Sequence, residues 1–168
     1  SVMLSLNYIN QNGNIKETFY ERYSARINSQ YNFNKYITVG ENLVVARWSN
    51  RGVDVAGDRG IPFTAMSQHP ALPVKGIDGA WARPMELVGS DLANPLQLIE
   101  NQSENTSTSW RILGNAYLEV KPIEGLAIKT NIGIEHSQYF NLNLNRTVNP
   151  GDVNSVSNDY GQGDTWTW

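Results

Sequence analysis

Few side chains in this sequence have the types and spacing that catalysis or metal binding requires. The two histidines, His69 and His136, do not share the spacing of a metal site. The carboxylates are scattered, and nothing in the sequence fixes the separation that a glycosidase pair needs. The four aspartates of the central stretch, residues 49–109, are Asp54, Asp58, Asp78 and Asp91. A hydrolase hidden in that stretch stays an alternative, and it would require activity that depends on particular Asp or Glu residues.

Known catalytic motifs do not occur in the sequence. It has no nucleophile elbow, no phosphate-cradling glycine loop and no zinc signature. The run from Asp152 to Asn154 resembles the start of a calcium loop, but the Asp or Asn and the Gly that should follow are missing. We interpret this run as a solvated turn. The sequence therefore predicts that the protein is not an enzyme and that it holds no metal or other cofactor.

Recognition is a better-supported role for the central stretch, residues 49–109. This stretch places aromatic side chains and methionine among glycine and proline. Exposed aromatic rings stack on sugar faces or clamp peptide side chains, and loops on a rigid scaffold commonly carry recognition. The candidate substrate-binding residues are Phe63, Met66, His69, Trp81 and Arg83. An alternative stays open, in which Phe63 and Trp81 pack this stretch against itself or against a neighbouring domain.

The elements that position these residues have a sequence period of two. Apolar side chains alternate with polar ones, as expected for strands whose two faces meet different surroundings. Five strands are predicted in this way, at about 2–11, 22–33, 36–48, 110–121 and 126–135. No stretch sustains a helical period, although residues 95–102 suit a short helical turn. The predicted fold is therefore all-β, an antiparallel meander.

The polar parity of these strands carries several cationic and amide side chains. We expect them to face away from the apolar surface: Arg22, Arg26, Asn28, Arg111, Asn115 and Lys129. The third strand is ambiguous, because Glu41 and Arg47 share the parity of Val39 and Val45. A bulge at Gly40 would reverse the parity beyond it and turn both charges to the polar side. The sequence leaves this register open.

Composition narrows the classes of protein to which the chain can belong. Its 168 residues suffice for one domain, and a net charge of -3 argues against general affinity for nucleic acid. With no cysteine, the chain offers no disulfide or thiolate metal site. No run approaches the roughly 18 apolar residues of a membrane helix. A transmembrane barrel stays possible, because its hydrophobic signal per strand is weak.

The connections between the predicted strands are sorted by length. The tight turns at 34–35 and 122–125 fall at one end of a meander, and the loops 12–21, 49–109 and 137–165 fall at the other. Outer-membrane barrels have short periplasmic turns and long extracellular loops. Aromatic residues flank both ends, as in the girdles of such barrels. The pattern therefore favours part of a transmembrane β-barrel over the alternative, a soluble secreted β-sheet module that binds carbohydrate.

Several linked blocks resemble the SusC/RagA family of TonB-dependent outer-membrane transporters of Bacteroidota. These blocks are YINQNGNIKETFYERYSARIN (8–28), YITVGENLVVAR (36–47), HPALPVKGIDGAW (69–81), NPLQLIEN (94–101) and WRILGNAYLEVKPIEGLAIKTNIGIE (110–135). They run over nearly the whole chain in the order found in the family. The resemblance implies a barrel of about 22 strands with a plugged lumen.

The same resemblance implies a location and a set of partners. Family members lie in the cell outer membrane, in contact with its lipid, and import an oligosaccharide or peptide captured with a SusD-like surface lipoprotein. Their energy arrives from the TonB complex, which acts through the plug. This sequence includes no plug domain, and we expect it to be a piece of a longer chain. It would form one arc of the wall with its outer loops, in which Arg22, Arg26, Arg111 and Lys129 face the lumen.

Overall fold

The computed structural model describes residues 1–53, 55, 60–82, 87, 89, 92–144 and 158–168. The strands are β1 Val2–Asn12, β2 Phe19–Asn32, β3 Ile37–Arg51, β4 Thr106–Ile123, β5 Leu126–Leu144 and β6 Asn158–Thr167, and the helices are α1 Ile61–Ser67 and α2 Pro95–Asn101. The strands form one sheet in chain order, and each is antiparallel to the next. The all-β meander is therefore confirmed, as an open sheet. Within the described ranges, no helix has the length and apolarity to cross a membrane.

The strands are longer than the sequence predicts. β4 has 18 residues and β5 has 19, whereas strands of soluble domains usually have about 3–10. The predicted loop over 137–165 is wrong at both ends, because β5 continues to Leu144 and β6 begins at Asn158. Polar residues at His136, Ser137 and Gln138 interrupt the alternation on both faces of β5, while the backbone pairing continues beyond them. Side-chain hydrogen bonds accompany that pairing, such as Ser107 Oγ to Asn141 Oδ1 at 2.6 Å.

Local side-chain chemistry closes the tight turns. The Asn34 carboxamide oxygen accepts hydrogen bonds from the backbone N–H groups of Tyr36 and Ile37, at 2.8 and 2.9 Å. Asparagine stabilises turns by this kind of bond to the following backbone. In the β4–β5 turn, Gly125 has a φ of 85°, which favours glycine. Both turns lie at the same end of the sheet, opposite the longer connections.

The pairing settles the register of β3. Ser29 pairs with Glu41 and Tyr31 with Val39, so the register passes through Gly40 without a shift. The proposed bulge at Gly40 is therefore absent, and both Glu41 and Arg47 lie on the apolar face. Trp48 consequently lies on the polar face, and so it cannot belong to an aromatic girdle of the apolar face.

The apolar face of the sheet is not covered by a second layer of the described chain. Leu6 is 75% exposed, Leu118 44% and Ile132 69%. Among the strand residues described, Ala46 is the buried apolar side chain, and the other buried apolar side chains lie in the β3–β4 connection. An apolar surface of this extent is not stable in water, which marks it as a contact surface.

The β3–β4 connection contains a small core of its own. α1 and α2 pack together and bury Ile61, Thr64 and Ile99. Asn94 caps α2 by accepting a hydrogen bond from the Leu96 N–H at 3.1 Å. The short helix predicted at 95–102 is thus confirmed, whereas α1 was not predicted. Residues 60–82 and 92–105 therefore contain regular structure that the predicted loop over 49–109 lacks.

Candidate functional site

The strand pairing places the predicted polar residues on one face of the sheet. In β2 these are Arg22, Arg26 and Asn28, which have the same parity and pair across to even-numbered residues of β3. The register through β4 and β5 puts the remaining members, Arg111, Asn115 and Lys129, on the same face. This polar face is the surface opposite the exposed Leu118 and Ile132. That it lines a lumen stays a prediction.

Cationic side chains of the polar face have different partners. Arg111 forms an ion pair with Glu135 at 2.7 Å. The Arg26 Nε donates a long hydrogen bond of 3.4 Å to Asn42 Oδ1. The Lys129 ammonium lies 4.1 Å from the centre of the Tyr117 ring. The face therefore mixes neutralised charges with charges that remain available to a ligand.

A pocket of about 300 Å³ opens on this face towards the end of the sheet with the longer loops. Its cationic members are Arg22 and Arg111, and its aromatic members are Tyr20 and Trp48. The remaining lining consists of apolar side chains: Val44, Ala46 and Leu113. Because Arg22 pairs with Trp48 across β2 and β3, the register places these two residues side by side on the polar face.

The pocket combines two modes of recognition. The Nε of Arg22 is buried and has no hydrogen-bond partner among the described residues. A buried donor without a partner is costly, so an acceptor supplied by a ligand or a neighbouring domain would stabilise it. Tyr20 and Trp48 supply aromatic surface, which favours flat or ring-shaped apolar groups. The arrangement suits a polar ligand that also has an apolar face.

Sequence reasoning found only part of this pocket. Arg22 and Arg111 follow from their parity, but Tyr20 and Trp48 were missed as site residues. The predicted strand began at residue 22, so Tyr20 fell in a loop, and the side on which Trp48 lies depended on the register of β3. The pattern of Tyr20 and Arg22 at i and i+2 was the available signal, because such residues share a face.

The predicted loop residues lie on separate elements. Phe63 and Met66 are one turn apart on α1 and exposed, at 43% and 80%. His69 follows α1, and its Nδ1 accepts a hydrogen bond from the Ala71 N–H at 3.2 Å. Trp81 pairs with Lys75 in an isolated bridge, with the ammonium 4.7 Å from the indole. Arg83 lies outside the described residues. Their role in binding a substrate stays a prediction.

The other candidates for chemistry are scattered. His136 lies on β5, where its ring stacks on Trp166 with centroids 3.9 Å apart. Asp78 accepts a hydrogen bond from the Ala80 N–H at 3.1 Å and so stabilises a turn. Outside the described residues lie Asp54, Asp58, Asp91 and the run 152–154. Within the described part of the chain, no group of three His, Cys, Asp or Glu could hold a metal ion.

Comparisons with known proteins point to one kind of receptor. No family model matches the chain. The chain is 24% identical over 152 residues to TonB-dependent receptor P39 of Formosa agariphila, a match that covers 90% of this chain and 13% of that protein. It is 29% identical over 132 residues to TonB-dependent receptor P26 of the same organism, covering 77% of this chain and 12% of that protein. The chain thus spans about an eighth of each relative, and the likeness supports the TonB-dependent receptor family.

Proposed function

We propose that this chain is an arc of the barrel wall of a TonB-dependent outer-membrane transporter. Its apolar face lies against membrane lipid, its polar face lines the lumen, and the longer connections lie outside the cell. Its role is recognition and passage of a substrate, without catalysis. The observation that carries this proposal is the single-layer sheet whose apolar face is exposed along its length, with Leu6 at 75% and Ile132 at 69%.

The strand dimensions support the same role. A transmembrane strand needs about 9–11 residues, so strands such as β4 and β5 would cross the bilayer and project beyond it. The sheet is open at β1 and β6, each of which has one partner strand in the described chain. Open edges are templates for aggregation unless further strands pair with them. Closure with other strands of a longer polypeptide would remove both edges.

The alternative, a soluble secreted carbohydrate-binding module, is less well supported. Such a module would need a second layer over Leu118 and Ile132, and the described residues provide none. The relatives are also receptors rather than secreted modules.

We further propose the SusC/RagA subtype, from the sequence blocks described above. In that role the chain contributes to import of an oligosaccharide or peptide delivered by a SusD-like surface lipoprotein. The TonB complex would act through the plug domain of the full-length transporter. We assign the wall contact with the substrate to the pocket around Arg22 and Trp48, and an outer contact to Phe63, Met66, His69, Trp81 and Arg83.

The sidedness of two single cysteines tests this proposal. The sequence contains no cysteine, so a cysteine introduced into this segment of an otherwise cysteine-free full-length protein gives the only label. Ser67→Cys lies in the β3–β4 connection, and Lys35→Cys lies in the β2–β3 turn. We expect a membrane-impermeant maleimide to label Ser67→Cys on intact cells, and Lys35→Cys only after the outer membrane is permeabilised. Equal labelling of both variants on intact cells, or recovery of the protein in the soluble fraction, would contradict the proposal.

A further inference from the structure

A groove of about 580 Å³ runs along the apolar face of the sheet. Its lining includes the paired side chains Ala25 and Val45, which are smaller than the aromatic side chains around them. Tyr8 and Tyr23 form one wall, with ring centroids 4.8 Å apart, and Trp110 contributes to another. The groove is therefore an apolar depression bordered by aromatic rings.

One cation, Arg47, lines the same groove. The guanidinium lies 5.6 Å from the centre of the Trp110 ring, and it forms no ion pair with any residue that the structure describes. The nearby carboxylate of Glu21 instead accepts hydrogen bonds from Tyr8 and Tyr23, at 3.0 and 2.7 Å. Arg47 thus presents an uncompensated positive charge on an apolar surface.

The register shows where this charge stands along the sheet. Tyr8, Tyr23, Arg47 and Trp110 pair in one row across four strands. Across the same four strands, the next row towards the tight turns is apolar: Leu6, Ala25, Val45 and Ile112. His136 follows this row on β5. The next row towards the long connections is polar: Asn10, Glu21, Ser49 and Thr108. Arg47 therefore marks the boundary between the apolar and the polar parts of this face.

We propose that this groove binds a phosphate-bearing membrane lipid, with the phosphate on Arg47 and an acyl chain in the groove. This inference rests on the proposed function, because it requires the apolar face to meet the bilayer. The planar guanidinium fork matches phosphate oxygens in a bidentate manner. An arginine facing lipid is tolerated when it reaches the headgroup level, where the bilayer supplies phosphate. The apolar row below Arg47 offers an acyl chain a path towards the membrane interior.

Three probes distinguish the parts of this site. The full-length protein in a non-ionic detergent is titrated with dioleoyl phosphatidylglycerol, with dioleoylglycerol, which lacks the phosphate, or with glycerol phosphate, which lacks the acyl chains. Native mass spectrometry measures the bound fraction. We expect phosphatidylglycerol to bind at least about tenfold more tightly than either of the other two, a difference that corresponds to about 1.4 kcal/mol.

Variants assign the binding to the groove. Arg47→Gln should weaken phosphatidylglycerol binding about tenfold, because the charge-assisted contact to phosphate is lost. Ala25→Phe should weaken it as well, by filling the groove while the cation stays in place. Arg26→Gln is the matched control, since Arg26 lies on the polar face and bonds Asn42, and it should bind like the parent protein.

The outcomes separate this inference from the proposed function. Equal binding by the parent protein and Arg47→Gln would overturn the lipid site, as would binding of glycerol phosphate as tight as that of the lipid. If the protein requires detergent but does not bind phosphatidylglycerol, the lipid site is contradicted and the proposed function is not. A protein that stays soluble without detergent and binds none of the three probes would contradict the proposed function together with the site. If the parent protein is a dimer and Arg47→Gln is a monomer, the groove binds a second copy of the chain, and the proposed lipid site is overturned.

Discussion

At the scale of single residues, the polar face is shaped by the contact between a glycine and an aromatic ring. Gly40 and Tyr117 are paired across β3 and β4, and a methyl group at Gly40 would overlap the Tyr117 ring. The ring therefore lies over the bare backbone of Gly40, an arrangement that protects glycine within sheets. Lys129 in turn lies over that ring. The absence of a side chain at Gly40 thus allows the Tyr117 ring to lie over the strand, with Lys129 over the ring.

Replacing Gly40 tests this contact. Gly40→Ala should force the Tyr117 ring aside and lower the free energy of unfolding of the full-length protein by about 1–3 kcal/mol, as overpacking does. Urea unfolding followed by tryptophan fluorescence measures the change. The loss should shrink in a Tyr117→Ala background, because the overlap is already removed there.

Gly133→Ala is the control for that change. Gly133 lies on the same face, and an added methyl would lie 3.7 Å from its nearest neighbour, the carbonyl oxygen of Gly114. We expect a change within about 0.5 kcal/mol. Equal losses for both alanine variants would show that Gly40 matters only as a glycine in a strand and not through Tyr117.

The face on which a side chain lies was predictable only where apolar and polar residues alternate clearly. The parity of Arg22 and Arg111 was enough to place both on the polar face. Trp48 was not predictable, because one extra residue at Gly40 would have reversed its side and nothing local excludes a bulge. The neighbours of each residue across the sheet depend on the strand register. Alternation alone does not fix this register, because a shift of two residues keeps every side chain on the same face.

At the scale of elements, α1 and α2 form a small packed unit within the β3–β4 connection. The two short helices pack against each other, and Ile61 on α1 and Ile99 on α2 are buried, with exposures of 5% and 7%. Gln68, which follows α1, donates a hydrogen bond to the Ala93 carbonyl at 2.8 Å and so ties α1 to the start of α2. This packing holds Phe63 and Met66 on the outward side of α1. The predicted recognition surface therefore depends on this small core.

Removing part of that core should loosen the connection without loosening the sheet. Ile99→Ala should destabilise the packing of α1 against α2 by about 2–4 kcal/mol, because it leaves a cavity. Cleavage within residues 60–102 by a protease added to intact cells should become faster. The urea midpoint of the sheet should stay unchanged, since Ile99 lies outside the sheet.

Leu96→Ala is the matched control in the same helix. Leu96 is 39% exposed, so its truncation should have a smaller effect on the rate of cleavage. If Ile99→Ala and Leu96→Ala speed cleavage equally, or if Ile99→Ala lowers the urea midpoint of the sheet, α1 and α2 do not form an independent packing unit.

The two helices differ in how far the sequence reveals them. α2 has an Asn cap followed by Pro at its first turn, which together signal a helix start. α1 also begins with an early proline, but its N-cap is Gly60 and makes no side-chain hydrogen bond. With seven residues and two turns, neither helix is long enough to show a helical period. The formation of α1 therefore depends on its packing against α2, and the local sequence does not predict it.

At the scale of the whole molecule, one sheet separates two surroundings. Its apolar face is exposed in the described chain, and its polar face carries the arginines, amides and the pocket around Trp48. The meander and its faces were predictable, because period-two alternation reports directly on them. The full length of β4 and β5 and the presence of β6 were not, because consecutive polar residues, at 106–109 in β4 and at 136–138 in β5, interrupt the alternation. The medium around each face is the claim on which the proposed role depends.

Spin labels along β5 test that claim most directly. A nitroxide is placed in turn at each position from 128 to 134 of the full-length protein in a lipid bilayer, and its collisions with oxygen and with a water-soluble nickel reagent are measured. We predict that labels at positions 128, 132 and 134 collide more often with oxygen, which concentrates in lipid. Labels at positions 129 and 131 should collide more often with the nickel reagent. Even-numbered positions shielded from both reagents would reveal a second protein layer, and they would contradict the account.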